Sequence, residues 1–274
     1  MTEVLRYAAF TTDPAGGNPA GVVLDAAGLD DAAMLAIAAR VGYSETAFLT
    51  PGGADRAYRA RYFAPVAEVP FCGHATIATA VALGERHGPG RFTFATNAGA
   101  VAVDVDAALR ATLVSVPPSV APLDDLDALL AALRWDAADL DPALPPRVAY
   151  AGAYHPVLAV RTRERLADLD YDVPALTALM TARGWTTIQL VHRESATVFH
   201  ARDPFPVGGV YEDPATGAAA AALGGYLREL GLVGDDATVT VHQGADLGRP
   251  GLLTVRLVPG EPGVRVGGDA VPIG

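Results

Sequence analysis

The sequence predicts an α+β protein in which one motif, strands wrapped around a buried helix, occurs twice. Three observations carry this reading. Short β-type runs recur along the whole chain, two helical segments are apolar on every side, and turns of the first half return in the same order in the second. The length of 274 residues agrees, being too long for one ordinary core and suited to two domains of roughly 100–150 residues each. A hydrophobic fraction of 51% with 19% charged residues is ample for such cores and opposite to the signature of disorder.

In the first half, residues 3–10, 20–24, 45–50, 57–63, 91–96, 99–105 and 111–116 alternate or are β-branched, and Gly, Pro, Asp or Asn bounds each run. These are strands. A helix over 29–41 opens with acidic residues, carries apolar residues at helical spacing and stops at Gly42, which makes it amphipathic and peripheral. The helix over 74–87 differs, because small or apolar residues occupy all its sides through Leu83 before Gly88-Pro89 ends it. A helix apolar all round is a buried helix. After a proline-rich stretch from Pro117 to Pro122, helices follow at 124–134 and 174–183, with strands at 148–151, 157–161, 187–192, 197–202, 238–242 and 252–258. A second all-apolar helix spans 217–230 and is closed by Gly231.

The repeat shows in the offsets. Gly73 and Gly217, each at the start of an all-apolar helix, differ by 144; the glycines of the turns that follow, Gly99 and Gly244, differ by 145. Upstream, Gly42 and Gly184 differ by 142, and Asn18-Pro19 and His155-Pro156 by 137. Four ordered correspondences with slowly drifting offset argue for an internal duplication.

Charge and motifs narrow the function. With 20 basic against 31 acidic residues the net charge is −11, so the chain repels polyanions, and neither nucleic acid nor an anionic membrane is expected as a partner. One cysteine, Cys72, permits no internal disulfide and no cysteine-rich zinc site. It also excludes a racemase mechanism using two thiols of one chain, since Thr216 stands at the equivalent place in the second half. Glu3 and Arg6 fall where a signal peptide needs its apolar core, and no apolar stretch is long enough to span a bilayer, so a cytoplasmic location is expected. The remaining histidines have no metal-ligand spacing, and no GxGxxG, GxxxxGK[ST] or GxSxG motif is present. No metal and no nucleotide cofactor are expected.

A duplication creates a cleft at its interface, a preferred place for small-molecule sites. Both buried helices begin at small-residue loops, Cys72-Gly73-His74-Ala75-Thr76 and Thr216-Gly217-Ala218-Ala219, where unpaired backbone N–H groups and positive dipole ends form an anion receptor. Either loop alone reads better as a tight strand-to-helix turn, and only the pair at matching positions brings the receptor level with that reading. Chemistry then needs an asymmetric acid or base. Glu45, at the mouth of an apolar strand, falls where the second half has Thr187, and it is a candidate general base; the alternative is an ordinary surface or capping glutamate. Asp213 precedes the second buried helix, where an ordinary capping aspartate would also sit. His74 lies on the first turn of the first buried helix and suits a hydrogen-bond donor or proton relay, or else a buried structural histidine.

At this point the chain resembles the phenazine-biosynthesis PhzF-like isomerases, within the superfamily that has the diaminopimelate epimerase-like fold. The resemblance runs through Gly17-Asn18-Pro19-Ala20-Gly21-Val22-Val23, Ser44-Glu45-Thr46-Ala47-Phe48, Arg61-Tyr62-Phe63-Ala64-Pro65, Cys72-Gly73-His74-Ala75-Thr76, Glu212-Asp213-Pro214-Ala215-Thr216-Gly217, Gln243-Gly244, Gly248-Arg249-Pro250 and Val264-Arg265-Val266-Gly267-Gly268. It implies two pseudo-symmetric α+β domains, residues 1–117 and 118–264, each a barrel-like, mostly antiparallel sheet around a central helix, with 265–274 joining the first. It also implies a cofactor-free, commonly dimeric enzyme. Glu45 is then the acid/base residue, assisted by His74 and Asp213. Asn18, Cys72, Gly73, Ala75, Thr76, Thr216, Gly217 and Ala218 form the substrate-binding set, with backbone N–H groups holding a substrate carboxylate. In the phenazine pathway such an enzyme moves a double bond in a dihydro-hydroxyanthranilate. Ala218 stands where the family often has serine, which removes a hydroxyl from the carboxylate pocket. The expected function is proton abstraction and return on a small carboxylate; the alternative is a non-catalytic carboxylate-binding protein on the same scaffold.

Overall fold

The computed structural model describes residues 2–274, which form two compact units: residues 2–114 with 267–274, and residues 115–266. In the first unit the elements are β1 (Leu5–Ala9), β2 (Asn18–Val23), α1 (Asp31–Val41), β3 (Glu45–Pro51), β4 (Ala57–Phe63), β5 (Glu68–Val69), α2 (Gly73–His87), β6 (Gly90–Thr96), β7 (Gly99–Val105) and β8 (Ala111–Val114). The second unit has β9 (Ser119–Pro122), α3 (Leu126–Leu133), β10 (Arg147–Tyr150), β11 (Tyr154–Val160), α4 (Arg163–Ala167), α5 (Val173–Arg183), β12 (Gln189–Arg193), β13 (Val198–Pro204), β14 (Glu212–Asp213), α6 (Gly217–Glu229), β15 (Thr238–Gln243) and β16 (Gly251–Arg256). β17 (Arg265–Gly268) and β18 (Ala270–Pro272) end the chain. The fold class is the mixed α+β one that the sequence predicts.

Each unit repeats one strand order. In the first, β18 pairs antiparallel with β1, β1 antiparallel with β2, β2 parallel with β3, β3 antiparallel with β4, β4 parallel with β6, and β6 antiparallel with β7. In the second, β9, β10, β11, β12, β13, β15 and β16 follow with the same senses at every step. The short β5 and β14 hang on β4 and β13 in the same way. The strand β9 lies inside the proline-rich stretch that the sequence reads as a break. Its Pro122 is the last residue of the strand.

The all-apolar helices are the centres of these sheets. Helix α2 touches β1, β2, β3, β7, β8 and β18, and α6 touches β9, β10, β11, β12 and β16. Eleven consecutive residues of α2, His74–Gly84, are buried. A second apolar layer lies on the other face of the strands. Met34, Ile37 and Ala38 of α1 pack with Val23, Phe48 and Phe63, whereas Leu129, Leu133, Leu176 and Met180 of α3 and α5 pack with Leu158 and Leu190. Strands covered on both faces read as continuous apolar runs, which is why Ala47–Leu49 and Val157–Val160 do not alternate.

One polar chain crosses the interior of the second unit. The imidazole Nδ1 of His155 lies 2.9 Å from Thr187 Oγ1, which donates to Asp203 Oδ1 at 2.9 Å. With its only proton committed, Thr187 accepts from His155, so Nδ1 carries the imidazole proton and Nε2 is left without a partner. The Gln189 amide, turned with its nitrogen toward Asp203, lies 2.9 and 3.0 Å from the two carboxyl oxygens. Burial lowers the His155 pKa from 6.5 to about 4, and burial also raises the Asp203 carboxyl well above its ordinary value.

Two predictions follow from this packing. A Cβ on Gly225 would stand 2.3 Å from Cβ of Pro118, so Gly225→Ala forgoes the usual gain in helix propensity and destabilises by roughly 1–2 kcal/mol net, read as a lower urea midpoint; an unchanged or higher midpoint contradicts this packing. His155 titrates lower when folded than when unfolded, so its neutral form stabilises above about pH 6.5 and that contribution disappears as pH falls to about 4. Asp203, raised by folding, acts in the opposite sense. The stability advantage of wild type over His155→Gln therefore widens with rising pH across this window by up to about 3 kcal/mol, measured by urea unfolding at a series of pH values. A constant difference would rule out a buried neutral His155.

Candidate active site

In the first unit, α1 ends at Gly42 in the left-handed conformation (φ 73°), and the chain turns directly into β3, whose first residue is Glu45. Its side chain keeps 15% exposure, and the four residues that follow it in the strand are buried. Helix α2 starts close by. Cys72 is its N-cap with no side-chain capping bond, Gly73 its first residue, and His74 lies in its first turn. With no acidic side chain in that turn, the first backbone N–H groups and the positive end of the dipole suit an anion.

Three chemically different side chains converge there. Glu45 Oε2 lies 3.5 Å from His74 Nε2 and 3.5 Å from Cys72 Sγ, while Cys72 Sγ lies 3.3 Å from His74 Nδ1. Ser44 Oγ is 3.3 Å from His74 Nε2. Among the described residues this is the one group whose donor atoms could jointly hold a metal ion. Spacing rules missed it because the carboxylate comes from a distant strand, and only the Cys72-x-His74 pair was local. Thr76 turns away from this group: its hydroxyl donates to the Cys72 carbonyl oxygen at 2.6 Å and meets the Tyr62 hydroxyl at 2.7 Å. It thereby braces the first turn of α2. Ala75 is fully buried on the helix, and Asn18 is buried at the start of β2, opposite Ala9.

The second unit builds its helix start differently. Asp213, on β14, accepts a hydrogen bond at Oδ2 from Thr216 Oγ1 at 2.6 Å. Gln243, at the end of β15, completes a ring of bonds: its Oε1 accepts from the Thr216 backbone N–H at 3.0 Å, and its Nε2 donates to the Asp213 carbonyl at 2.9 Å and to Thr216 Oγ1 at 3.0 Å. The neighbouring Gly244 is demanded by space, since a Cβ there would come within 2.4 Å of the Arg249 carbonyl oxygen. Glu212 beside Asp213 is structural. It forms a buried ion pair with Arg202, 2.5 Å at the closest approach, and so pins β14 to β13. Gly217 and Ala218 follow in the first turn of α6, which likewise has no side-chain cap and no acidic residue. Sequence reading singled out Asp213, Thr216, Gly217 and Ala218 here, while the clamping role of Gln243 became visible only through its bonds.

The two helix starts are thus framed alike and equipped unlike. A carboxylate opens β3 in the first unit, whereas the corresponding stretch of the second carries Thr187 and Gln189, both uncharged and both bonded to Asp203.

Comparison with known proteins agrees with this architecture. Residues 7–274 match the family model described as phenazine biosynthesis-like protein, PhzC-PhzF. The uncharacterized isomerase YddE of Salmonella typhimurium is 34% identical, with 98% of this chain and 95% of the relative covered. The trans-2,3-dihydro-3-hydroxyanthranilate isomerase of Pseudomonas fluorescens is 31% identical over 89% of this chain and 86% of the relative. Among solved structures, a predicted epimerase from Pseudomonas aeruginosa superposes with a TM-score of 0.88 at 30% identity, covering 100% of this chain and 98% of the other. The chain therefore belongs to the phenazine biosynthesis-like, PhzF-type family of isomerases and epimerases.

Proposed function

We propose that this protein is a cofactor-independent isomerase or epimerase of a small carboxylate-bearing metabolite, working by proton abstraction and return through Glu45. The observation that carries the reading is the placement of that carboxylate, 3.5 Å from His74 Nε2 at the uncapped start of a buried helix. Glu45 Oε2 removes a proton from a carbon made acidic by a neighbouring carboxylate or conjugated system. The electron pair released moves into that system, and negative charge grows on the substrate oxygens. Donors at a helix start are worth most at that moment, and loss of a single oxyanion donor typically costs about 10²–10³ in rate.

The protonated Glu45, or His74 beside it, then returns the proton. Return to another carbon shifts a double bond, and return to the opposite face inverts a centre. The start of α6 offers the same kind of anion receptor within its own unit, with Asp213 as its acid–base group. The activity in the name of the Pseudomonas fluorescens relative, isomerisation of a dihydro-hydroxyanthranilate, supports a cyclic, conjugated carboxylate as the substrate class. The methyl of Ala218, where the family often has a serine hydroxyl, supports a substrate whose carboxylate is held by backbone N–H groups without that extra donor.

The test is solvent-deuterium incorporation into a panel of cyclic and α-amino carboxylates, followed by mass spectrometry and NMR. Wild type is expected to label one carbon of the accepted ligand, while Glu45→Gln loses exchange by on the order of 10²–10⁴-fold and keeps the ligand-induced rise in Tm. Exchange that persists in Glu45→Gln refutes the role of Glu45. Ligand-induced stabilisation without exchange in wild type refutes catalysis in favour of binding alone.

A further inference from the structure

The same three side chains have a second chemistry. We propose that Glu45 Oε2, Cys72 Sγ and His74 Nε2 form a three-donor site for a borderline divalent cation of the zinc class.

The argument is one of donor type and edge length. Thiolate, imidazole and carboxylate are the three donors zinc takes from proteins, at about 2.3 Å from sulfur and about 2.0–2.2 Å from nitrogen and oxygen. A regular tetrahedron with those bond lengths has donor-to-donor edges of about 3.3–3.6 Å. The observed edges are 3.5 Å for sulfur to oxygen, 3.5 Å for nitrogen to oxygen and 3.8 Å for sulfur to nitrogen. One triangular face of a zinc tetrahedron is therefore already drawn to within a few tenths of an ångström. A cation entering it leaves the fourth position to water or to an anionic ligand.

The frame holding the donors is rigid. Cys72 and His74 sit at the N-cap and first turn of a helix enclosed by strands, and Glu45 opens a strand of the same unit. The side chains are well shielded, His74 at 7% and Glu45 at 15% exposure, so they need little reordering to bind. On binding, His74 Nε2 exchanges its contact with Ser44 Oγ for the cation, and the Cys72 thiol releases its proton, since the thiolate is the ligand. Thiolate and carboxylate together neutralise the added double charge.

The site has a functional consequence that rests on the reading of Glu45 as the base. An oxygen lone pair engaged on a metal is not available to a proton, so occupancy halts proton transfer. The cation acts here as an inhibitor of the chain, not as its cofactor.

Cobalt(II), with the coordination habits of zinc and a visible spectrum, is the probe. Titration of the intact chain is expected to reach one equivalent, with proton release and a near-ultraviolet sulfur-to-cobalt charge-transfer band that zinc bleaches on displacing the cobalt. Because the chain has one cysteine, such a band can come only from Cys72. Cys72→Ser abolishes the band, and Cys72→Ser, His74→Gln and Glu45→Gln each weaken zinc binding by on the order of tenfold or more. His200→Gln, which alters the stacked row His192, His200 and His242, leaves affinity unchanged. Absence of the charge-transfer band in wild type, or zinc affinity indifferent to Cys72→Ser, overturns the site. Deuterium exchange measured on zinc-loaded protein answers separately: a bound cation with undiminished exchange leaves the metal site standing and removes Glu45 from the proton transfer.

Discussion

A helix enclosed by strands on every side must be narrow, and its first backbone N–H groups need an acceptor that no side chain supplies. Much of the structure depends on this constraint. Narrowness explains the composition of α2 and α6, dominated by Ala and Gly, in spite of the entropic cost of glycine within a helix. Gly84 lies where a Cβ would be 2.8 Å from Val105, and Gly224 where it would be 2.6 Å from Val255. The uncapped starts follow from the same geometry. Each helix begins where a strand or short loop has just delivered it to the interior, and a bulky acidic cap would compete with any ligand for the same donors.

On that shared frame the two units have diverged in chemistry. The first places an ionisable set, carboxylate, thiol and imidazole, around its helix start. The second spends its polar groups on internal order. Gln243 ties Thr216 to Asp213, and the interior row His155, Thr187, Asp203 and Gln189 is buried almost completely. A buried polar chain is costly unless satisfied, and here nearly every polar atom finds a partner. The exception, His155 Nε2, is tolerated because burial keeps that imidazole neutral. One strand order thus carries two helix starts with different side chains around them.

Legibility in the sequence differed by scale. The two central helices stood out because fourfold burial leaves no polar face, and their observed bounds, Gly73–His87 and Gly217–Glu229, lie within a residue of those read from pattern. Strands such as Ala57–Phe63 and Gly99–Val105 were equally plain, because turn residues bracket them. Several of the shortest pieces were not. β5, β14 and β18 have no period to read, and β9 was masked by its prolines. At the sites, Glu45, His74 and Asp213 were visible as polar residues in apolar surroundings. Gln243 looked like part of a turn and Asp203 like the end of a strand, because what distinguishes them is a partner far away in the chain.

The sequence by itself determined the period and polarity of the elements, the number of buried helices, the single thiol and the imbalance of charge. These are local or additive properties, set by side-chain chemistry and spacing. Only the tertiary structure decided that β18 pairs with β1, that β2 and β3 run parallel, and that the Glu45 carboxylate meets Cys72 and His74 at 3.5 Å. Those outcomes depend on which distant surfaces bury one another best. Burial is a property of pairs of segments, and no window along the chain contains both members of such a pair.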